Sequence, residues 1–214
     1  LTINQFYENS WRSQGEKIEK RYKIIIKMVG SRNKVLDIGC GTGLLGSLLQ
    51  DQGNNVTGLD ISNVALNKAE SRGITVKQCN IEEGLPFEDR SFDVVICSEV
   101  IEHLFFPYKL LEDIWRVLRD NGCLILTTPN VAYIVRRICL LVGKFPEETR
   151  WAATSCTNEW EHIRFFTVAS LEKLLKDTRF KIAEFQGVDR FSKLPLSRIS
   201  KGLFAQGFVI KARK

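Results

Sequence analysis

One stretch of the chain combines a carboxylate with three closely spaced glycines: Val35-Leu36-Asp37-Ile38-Gly39-Cys40-Gly41-Thr42-Gly43. Glycines so spaced let the backbone turn tightly after a strand and come close to a ligand. Asp60 lies 21 residues beyond Gly39, at the end of a second apolar run. A carboxylate there can accept hydrogen bonds from both ribose hydroxyls of a nucleoside. Gly41, Gly43 and Gly46 also spell G-x-G-x-x-G, which taken alone is a weak signature of a dinucleotide site. Asp37 separates the two readings. A carboxylate in the loop repels a pyrophosphate and attracts a ligand that carries an ammonium or a sulfonium.

D-x-G-x-G-x-G after a first strand, with an acidic residue closing the second, resembles the signature of class I S-adenosylmethionine-dependent methyltransferases. The likeness is to the small-molecule type with a methyltransferase domain of the 11 or 23 kind, and it is close over roughly residues 30–130. Leu85-Pro86-Phe87 and Ser91-Phe92-Asp93-Val94-Val95 match that family's entry into strand four. Glu99-Val100-Ile101-Glu102-His103-Leu104 matches the segment after it, and Leu118-Arg119-Asp120-Asn121-Gly122 matches the turn into strand five. The resemblance implies S-adenosyl-L-methionine as cofactor. Asp37 and the backbone of Gly39, Cys40 and Gly41 would hold its methionine part. Asp60 would hold the ribose, with Ile61 packed on the adenine. Asn80 and Ile81 stand where the family places an acidic residue and its neighbour. The Asn80 amide oxygen can accept the adenine amino hydrogen bond, without charge assistance. Ser98 and Glu99 would lie under the methionine tail and the reactive methyl. Gly46 is expected to serve helix packing, and Cys40 to turn a small side chain to the core.

Methyl transfer from a sulfonium is an in-line displacement, so the protein must mainly align the acceptor and exclude water. An oxygen acceptor also benefits from a base. The two candidate catalytic residues are the histidines. His103 follows Glu102 close to the expected methyl position. His162 lies in Glu161-His162-Ile163-Arg164-Phe165-Phe166-Thr167, similar to an H-x-R-F-F-T stretch on the acceptor side of small-molecule methyltransferases. Each also has a structural reading as a loop anchor. The expected partner is a small-molecule acceptor, methylated on an oxygen of a sugar, quinone-like or lipid-linked compound. The alternatives are RNA methylation through a basic surface and a non-catalytic cofactor-binding protein of the same fold. Ser98-Glu99-Val100-Ile101 differs from the Asn/Asp-Pro-Pro-Tyr/Phe of amino-methylating nucleic-acid enzymes, and no nucleic-acid-binding module is recognisable. The intact glycine loop and ribose carboxylate speak against the non-catalytic reading.

The elements that must position these residues alternate. Strands are expected at 34–38, 55–59, 74–79, 92–97 and 123–127, and helices at 44–52, from Ser62 to about Arg72, and from Pro107 through Leu118. The helix after Pro107 carries Leu110, Leu111, Ile114, Trp115 and Leu118 inward. A further helix is read at 170–178 and strands at 180–186 and 204–211. The predicted fold is α/β: a Rossmann-like, doubly wound, mainly parallel seven-stranded sheet with helices on both faces and an antiparallel last strand. The whole chain reads as one methyltransferase domain. Residues 1–30 form a helical lead-in, and 131–169 an acceptor-side insertion or lid. Tyr133, Trp151, Trp160 and Phe165 either line an acceptor pocket there or simply pack. Arg136-Arg137 reads as two exposed arginines on a partly buried helix, or as a contact to a lipid surface or a phosphorylated acceptor.

Composition sets the bounds. The chain has 214 residues, 44% of them hydrophobic and 26% charged, with a net charge of +6. No apolar run reaches the roughly 20 residues of a transmembrane helix. No signal peptide is read at the N-terminus, although the first residue is not Met. The six cysteines form no C-x-x-C pair, and Cys79, Cys97 and Cys123 lie in or beside strand-like runs. Buried free thiols and a cytoplasmic location are the expectation. Two histidines cannot by themselves build a zinc site, so no metal is expected.

Overall fold

The structure is a computed structural model and describes Gln5, Glu8 and residues 18–144, 162–188 and 199–214. Short runs rich in Val, Ile and Leu form the strands β1 (Lys34–Ile38), β2 (Asn55–Asp60), β3 (Thr75–Gln78) and β4 (Phe92–Ser98). With β5 (Leu118–Pro129), β6 (Lys181–Val188) and β7 (Gly207–Arg213) they make one sheet, in the order β3-β2-β1-β4-β5-β7-β6. β1 to β5 pair in parallel, and β7 runs antiparallel between β5 and β6. This is the expected Rossmann-like sheet with its antiparallel last strand.

The helices are α1 (Lys20–Val29), α2 (Leu44–Gln50), α3 (Asn63–Ser71), α4 (Pro107–Val117), α5 (Ile134–Leu141), α6 (Val168–Asp177) and the short α7 (Lys201–Phe204). Successive strand side chains point to opposite faces, and β4 divides accordingly. Val95 and Cys97 join Leu110, Leu111 and Ile114 of α4 and Leu171 and Leu174 of α6. Val94 and Ile96 join Ile25 and Met28 of α1, Leu45 and Leu49 of α2, and Ala69 of α3. Each such aliphatic side chain contributes about 1.5–3 kcal/mol when fully buried. The two apolar layers hold the β-strands rigid, so their C-terminal ends make one shared edge for ligands.

Local chemistry sets the helix ends. Ser62 Oγ accepts the Ala65 N–H at 3.3 Å, and the Glu8 carboxylate accepts the N–H groups of Asn63 and Val64 at 2.7 and 3.2 Å. Thr167 and Ser170 form a reciprocal capping box before α6, and Pro107 opens α4.

Several expectations need correction. α4 stops at Val117, and Leu118 already pairs with Phe92 as the first residue of β5. The Asn121-Gly122 turn is therefore an irregularity within β5, where the register shifts between Phe92 and Val94. A side chain at Gly122 would meet the Arg119 carbonyl at 2.9 Å and that of Asp93 at 3.1 Å, so the backbones approach too closely for a Cβ. Trp115 is half-buried at the edge of the core. It meets Phe180 edge-on at 5.1 Å and lies under Arg179 and Lys214. The last strand begins at Gly207 because Lys201–Phe204 winds one helical turn. Of the lead-in, α1 covers Lys20–Val29, and Ile18 and Glu19 are not helical. Cys40, Cys97 and Cys123 are buried free thiols, Cys79 and Cys139 are half-buried, and Cys156 lies outside the described residues. Among the described residues, no helix is long and apolar enough to cross a membrane.

Candidate active site

β1, β2, β4 and β5 end side by side. Asp37, Gly39, Cys40, Gly41, Asp60, Ile61, Ser98 and Glu99 lie at or just after those ends. His103 follows in the turn after β4, Asn80 and Ile81 follow β3, and His162 comes from the segment before α6. After Ile38 the chain enters the glycine loop, where Gly39, Gly41 and Gly43 take φ of 68°, 53° and 76°. The left-handed region is sterically open to glycine and costly for most other residues. A Cβ on Gly39 would stand 2.5 Å from Cγ2 of Val100, and one on Gly43 would stand 2.8 Å from Cβ of Ala69. Gly43 thus admits α3, while Gly39 admits the turn after β4. Gly46 packs against Ile74 and Val56, as expected. Cys40 is buried with its thiol against Gly58, and burial pushes that thiol up. Gly39→Ala is expected to cost about 1–3 kcal/mol through strain at positive φ, and more through the clash with Val100. It would read as a lower Tm, partly restored by adding Val100→Ala. An unchanged Tm would mean that Val100 yields freely.

Two carboxylates flank this loop. Asp37 is 3% exposed, and burial, then the neighbouring Asp60, raises its pKa from 3.8 to about 7. Asp60 is also buried and raised by burial, although the N–H groups of Gly41 and Ser62 donate to its two oxygens at 2.9 Å each. No ion pair among the described residues reaches either group. A buried, unbalanced pair of carboxylates is suited to a cation. An ammonium-bearing nucleoside fits that requirement, and the free lone pairs of Asp60 can still meet ribose hydroxyls. Ile61, the next residue, is half-buried, and so is Ile81, which packs against the core layer that contains Leu59. The Asn80 amide oxygen accepts the Glu82 N–H at 3.3 Å, and its nitrogen donates to Glu83 at 2.8 Å, so local turns orient this side chain.

The end of β4 is tied to β5. Ser98 Oγ lies 3.0 Å from Thr127 Oγ1. The Thr127 hydroxyl accepts the Glu99 N–H at 3.1 Å and donates to Glu99 Oε1 at 2.8 Å. Glu99 itself takes φ of 55°, an unusual backbone position for a residue with a side chain. Its other oxygen is 3.3 Å from Arg21 Nη1 of α1, whose Nε is buried with no hydrogen-bond partner. Tyr22 adjoins it, its hydroxyl pushed up to about 12 by burial and by Glu19, with further contributions from Asp37 and Glu99. Arg21 and Tyr22 adjoin the Asp37 and Glu99 carboxylates, a placement that sequence reasoning missed. They sit in a helix whose many basic residues give no local sign of which one turns inward.

A second cluster follows. The Glu102 backbone carbonyl, in the 3₁₀ turn Ile101–His103, accepts the N–H groups of Ile163 and Arg164 at 3.0 and 2.9 Å. These bonds bring His162 to His103, with ring centroids 4.9 Å apart and planes at 63°. The Glu102 side chain is 1% exposed. Thr128 donates to its Oε2 at 3.1 Å, and Oε1 has no hydrogen-bond partner and lies 3.9 Å from His162 Nε2. Burial, then Glu99, raises the Glu102 carboxyl well above the usual range. Burial and Arg136 lower His162 below 6.5. At neutral pH His162 is therefore an uncharged imidazole able to accept a proton.

One ligand atom from each of Glu102, His103 and His162 lies within 4.8 Å of the others. The two histidines alone make no metal site. Adding Glu102 gives a three-ligand set, of which only the adjacent Glu102-His103 is legible in the sequence. Arg136 is buried and donates to the Asn130 carbonyl, which corrects the expectation of two exposed arginines; Arg137 is exposed. Tyr133 is buried and Phe165 half exposed, while Trp151 and Trp160 lie outside the described residues.

Comparison with known proteins gives a consistent picture. Residues 11–184 match the sequence model of a family described as a methyltransferase domain. The ubiquinone biosynthesis O-methyltransferase of Rickettsia prowazekii is 32% identical over 184 residues, covering 81% of this chain and 66% of that protein. The chain thus spans just under two thirds of that relative's length. An S-adenosylmethionine-dependent methyltransferase from Methanosarcina mazei aligns over 93% of this chain and 99% of its own, at a TM-score of 0.67 and 26% identity. A second, from Archaeoglobus fulgidus, aligns over 100% of both chains at a TM-score of 0.70 and 18% identity, a likeness of fold alone.

Proposed function

Because the chain belongs to the class I S-adenosylmethionine-dependent methyltransferases, a family of enzymes using S-adenosyl-L-methionine, we propose that it methylates a hydroxyl oxygen of a small, quinone-like acceptor. The observation behind this reading is the cluster of buried Glu102 with half-buried His103 and His162, beside the strand ends that carry the glycine loop. The name of the Rickettsia relative, an O-methyltransferase of ubiquinone biosynthesis, supports an oxygen acceptor of quinone type.

Asp37 would offset the cofactor's ammonium, and Arg21 its carboxylate. Gly39, Cys40 and Gly41 would present backbone to the methionine part. Asp60 would receive the ribose, Ile61, Asn80 and Ile81 the adenine, and Ser98 and Glu99 would floor the methionine tail. When bound, the cofactor supplies an activated methyl on a sulfonium. Neutral His162 accepts the acceptor's hydroxyl proton as the oxygen takes the methyl group. Glu102, whose burial favours the neutral carboxyl, would position His162 through its backbone carbonyl, which holds the Ile163 and Arg164 N–H groups. His103 would orient the acceptor from the other side, with residues 131–144 and 162–166 on the acceptor side.

The experiment is calorimetric titration with S-adenosylmethionine, S-adenosylhomocysteine and NAD⁺, followed by methyl transfer to ring-hydroxylated and amine acceptors. Micromolar binding of the two sulfur compounds alone, with methyl groups recovered on oxygen, is expected. Methylation of amines only, or of RNA, would overturn the acceptor assignment.

A second reading rests on the three converging ligand atoms. Glu102, His103 and His162 would hold a divalent cation that polarises the acceptor oxygen. Activity abolished by a chelator and restored by Mg²⁺ or Zn²⁺ selects this reading, and activity indifferent to chelation selects proton transfer by His162 alone.

A further inference from the structure

Ten of the thirteen large apolar side chains exposed among the described residues lie in three segments: 105–108, 135–142 and 163–165. The segments are neighbours in space. Arg164 Nη2 donates to the Phe105 carbonyl at 2.7 Å, and the Val131 N–H, just before α5, donates to the Phe166 carbonyl at 3.0 Å. Together they rim the cluster that holds His103 and His162.

α5 is inside out. Its one buried residue is Arg136, while Ile138 is 51% and Leu141 85% exposed, and Val142 just after it is 60% exposed. Scattered exposed hydrophobic residues are ordinary, but a contiguous patch marks an interaction surface. Charge indicates what the surface meets. The stretches 103–109, 131–144 and 162–166 contain no Asp or Glu, and they carry exposed Lys109, Arg137, Lys144 and Arg164. A two-fold dimer through this face would set those cations against their own copies. An anionic lipid surface accepts both the apolar side chains and the cations around them.

We propose that this face docks reversibly on an anionic phospholipid surface. α5 lies in the headgroup layer, with Ile138, Leu141 and Val142 toward the acyl chains and Arg137 and Lys144 at lipid phosphates. Phe105, Phe106 and Phe165 extend the contact to the mouth of the site. Docking needs no methyl transfer, so it stands or falls separately from the acceptor assigned above.

The test is flotation of the chain with phosphatidylcholine vesicles, with and without phosphatidylglycerol, at low and high salt. The chain is expected to float with the anionic vesicles and to be released as salt rises. Ile138→Glu with Leu141→Glu should reduce the floated fraction by about tenfold or more. Arg137→Glu with Lys144→Glu should abolish the preference for phosphatidylglycerol. Tm and S-adenosylhomocysteine affinity, measured on all variants, establish that each is folded. No flotation of the wild type, or equal flotation of the wild type and the folded Ile138/Leu141 variant, would overturn the proposal. So would a dimer in lipid-free solution that the same double variant splits, because the face would then belong to a second copy.

Discussion

Asp37→Asn is expected to stabilise the ligand-free protein at alkaline pH and at the same time to abolish tight cofactor binding. The folded pKa of Asp37 is raised to about 7 from 3.8, so its neutral form is the one the fold prefers. Its favourable contribution is complete below about pH 4 and is lost as pH rises through about 7. Asparagine has no charge to desolvate. The variant should therefore melt higher than the wild type at pH 8, by about 2–4 °C for each kcal/mol recovered, and the gap should close by pH 4. Cofactor affinity moves the other way. Removing one partner of a buried ion pair costs about 3–5 kcal/mol, equivalent to about 10²–10⁴-fold in Kd. Thermal melts across pH 4–8 with and without S-adenosylmethionine read both effects. A variant that binds the cofactor as tightly as the wild type would remove Asp37 from the site.

His162→Ala is expected to lower kcat by about 10²–10⁴-fold on an oxygen acceptor while leaving cofactor affinity unchanged. The imidazole is held below its ordinary pKa of 6.5 by burial and by Arg136, so the wild type should keep its base down to slightly acid pH. The rate should fall only below pH 6.5, and that limb of the profile should vanish in the variant. Glu102→Gln separates positioning from charge. Burial favours the protonated carboxyl and the amide keeps its shape, so kcat and KM close to wild type are the expected result, and a large loss of kcat would show that a carboxylate at 102 is used. A variant at position 162 with wild-type turnover and an intact pH profile would return the histidine to the role of loop anchor.

The sequence by itself determined the sheet, its helices and the glycine loop. These depend on signals read within a few residues: β-branched runs for Lys34–Ile38 and Phe92–Ser98, and helical spacing for Leu110, Leu111 and Ile114. Glycines at 39, 41 and 43 register a backbone need that no other residue meets as cheaply. Asp37 and Asp60 were legible for the same reason, since Asp60 ends β2, Asp37 is one residue short of the end of β1, and parallel strands end on one edge. What the sequence did not carry was convergence. Arg21 meets Glu99 across 78 positions, and His162 reaches Glu102 across 60, because Ile163 and Arg164 dock on the Glu102 carbonyl. A run of basic residues in α1 does not say which one turns inward, and Arg136-Arg137 reads as two equivalent exposed cations. Only tertiary packing decides that Arg136 is buried against Asn130 and that α5 presents its apolar side outward. Periodicity records the spacing of residues along an element, whereas the face an element buries depends on what the rest of the chain sets against it.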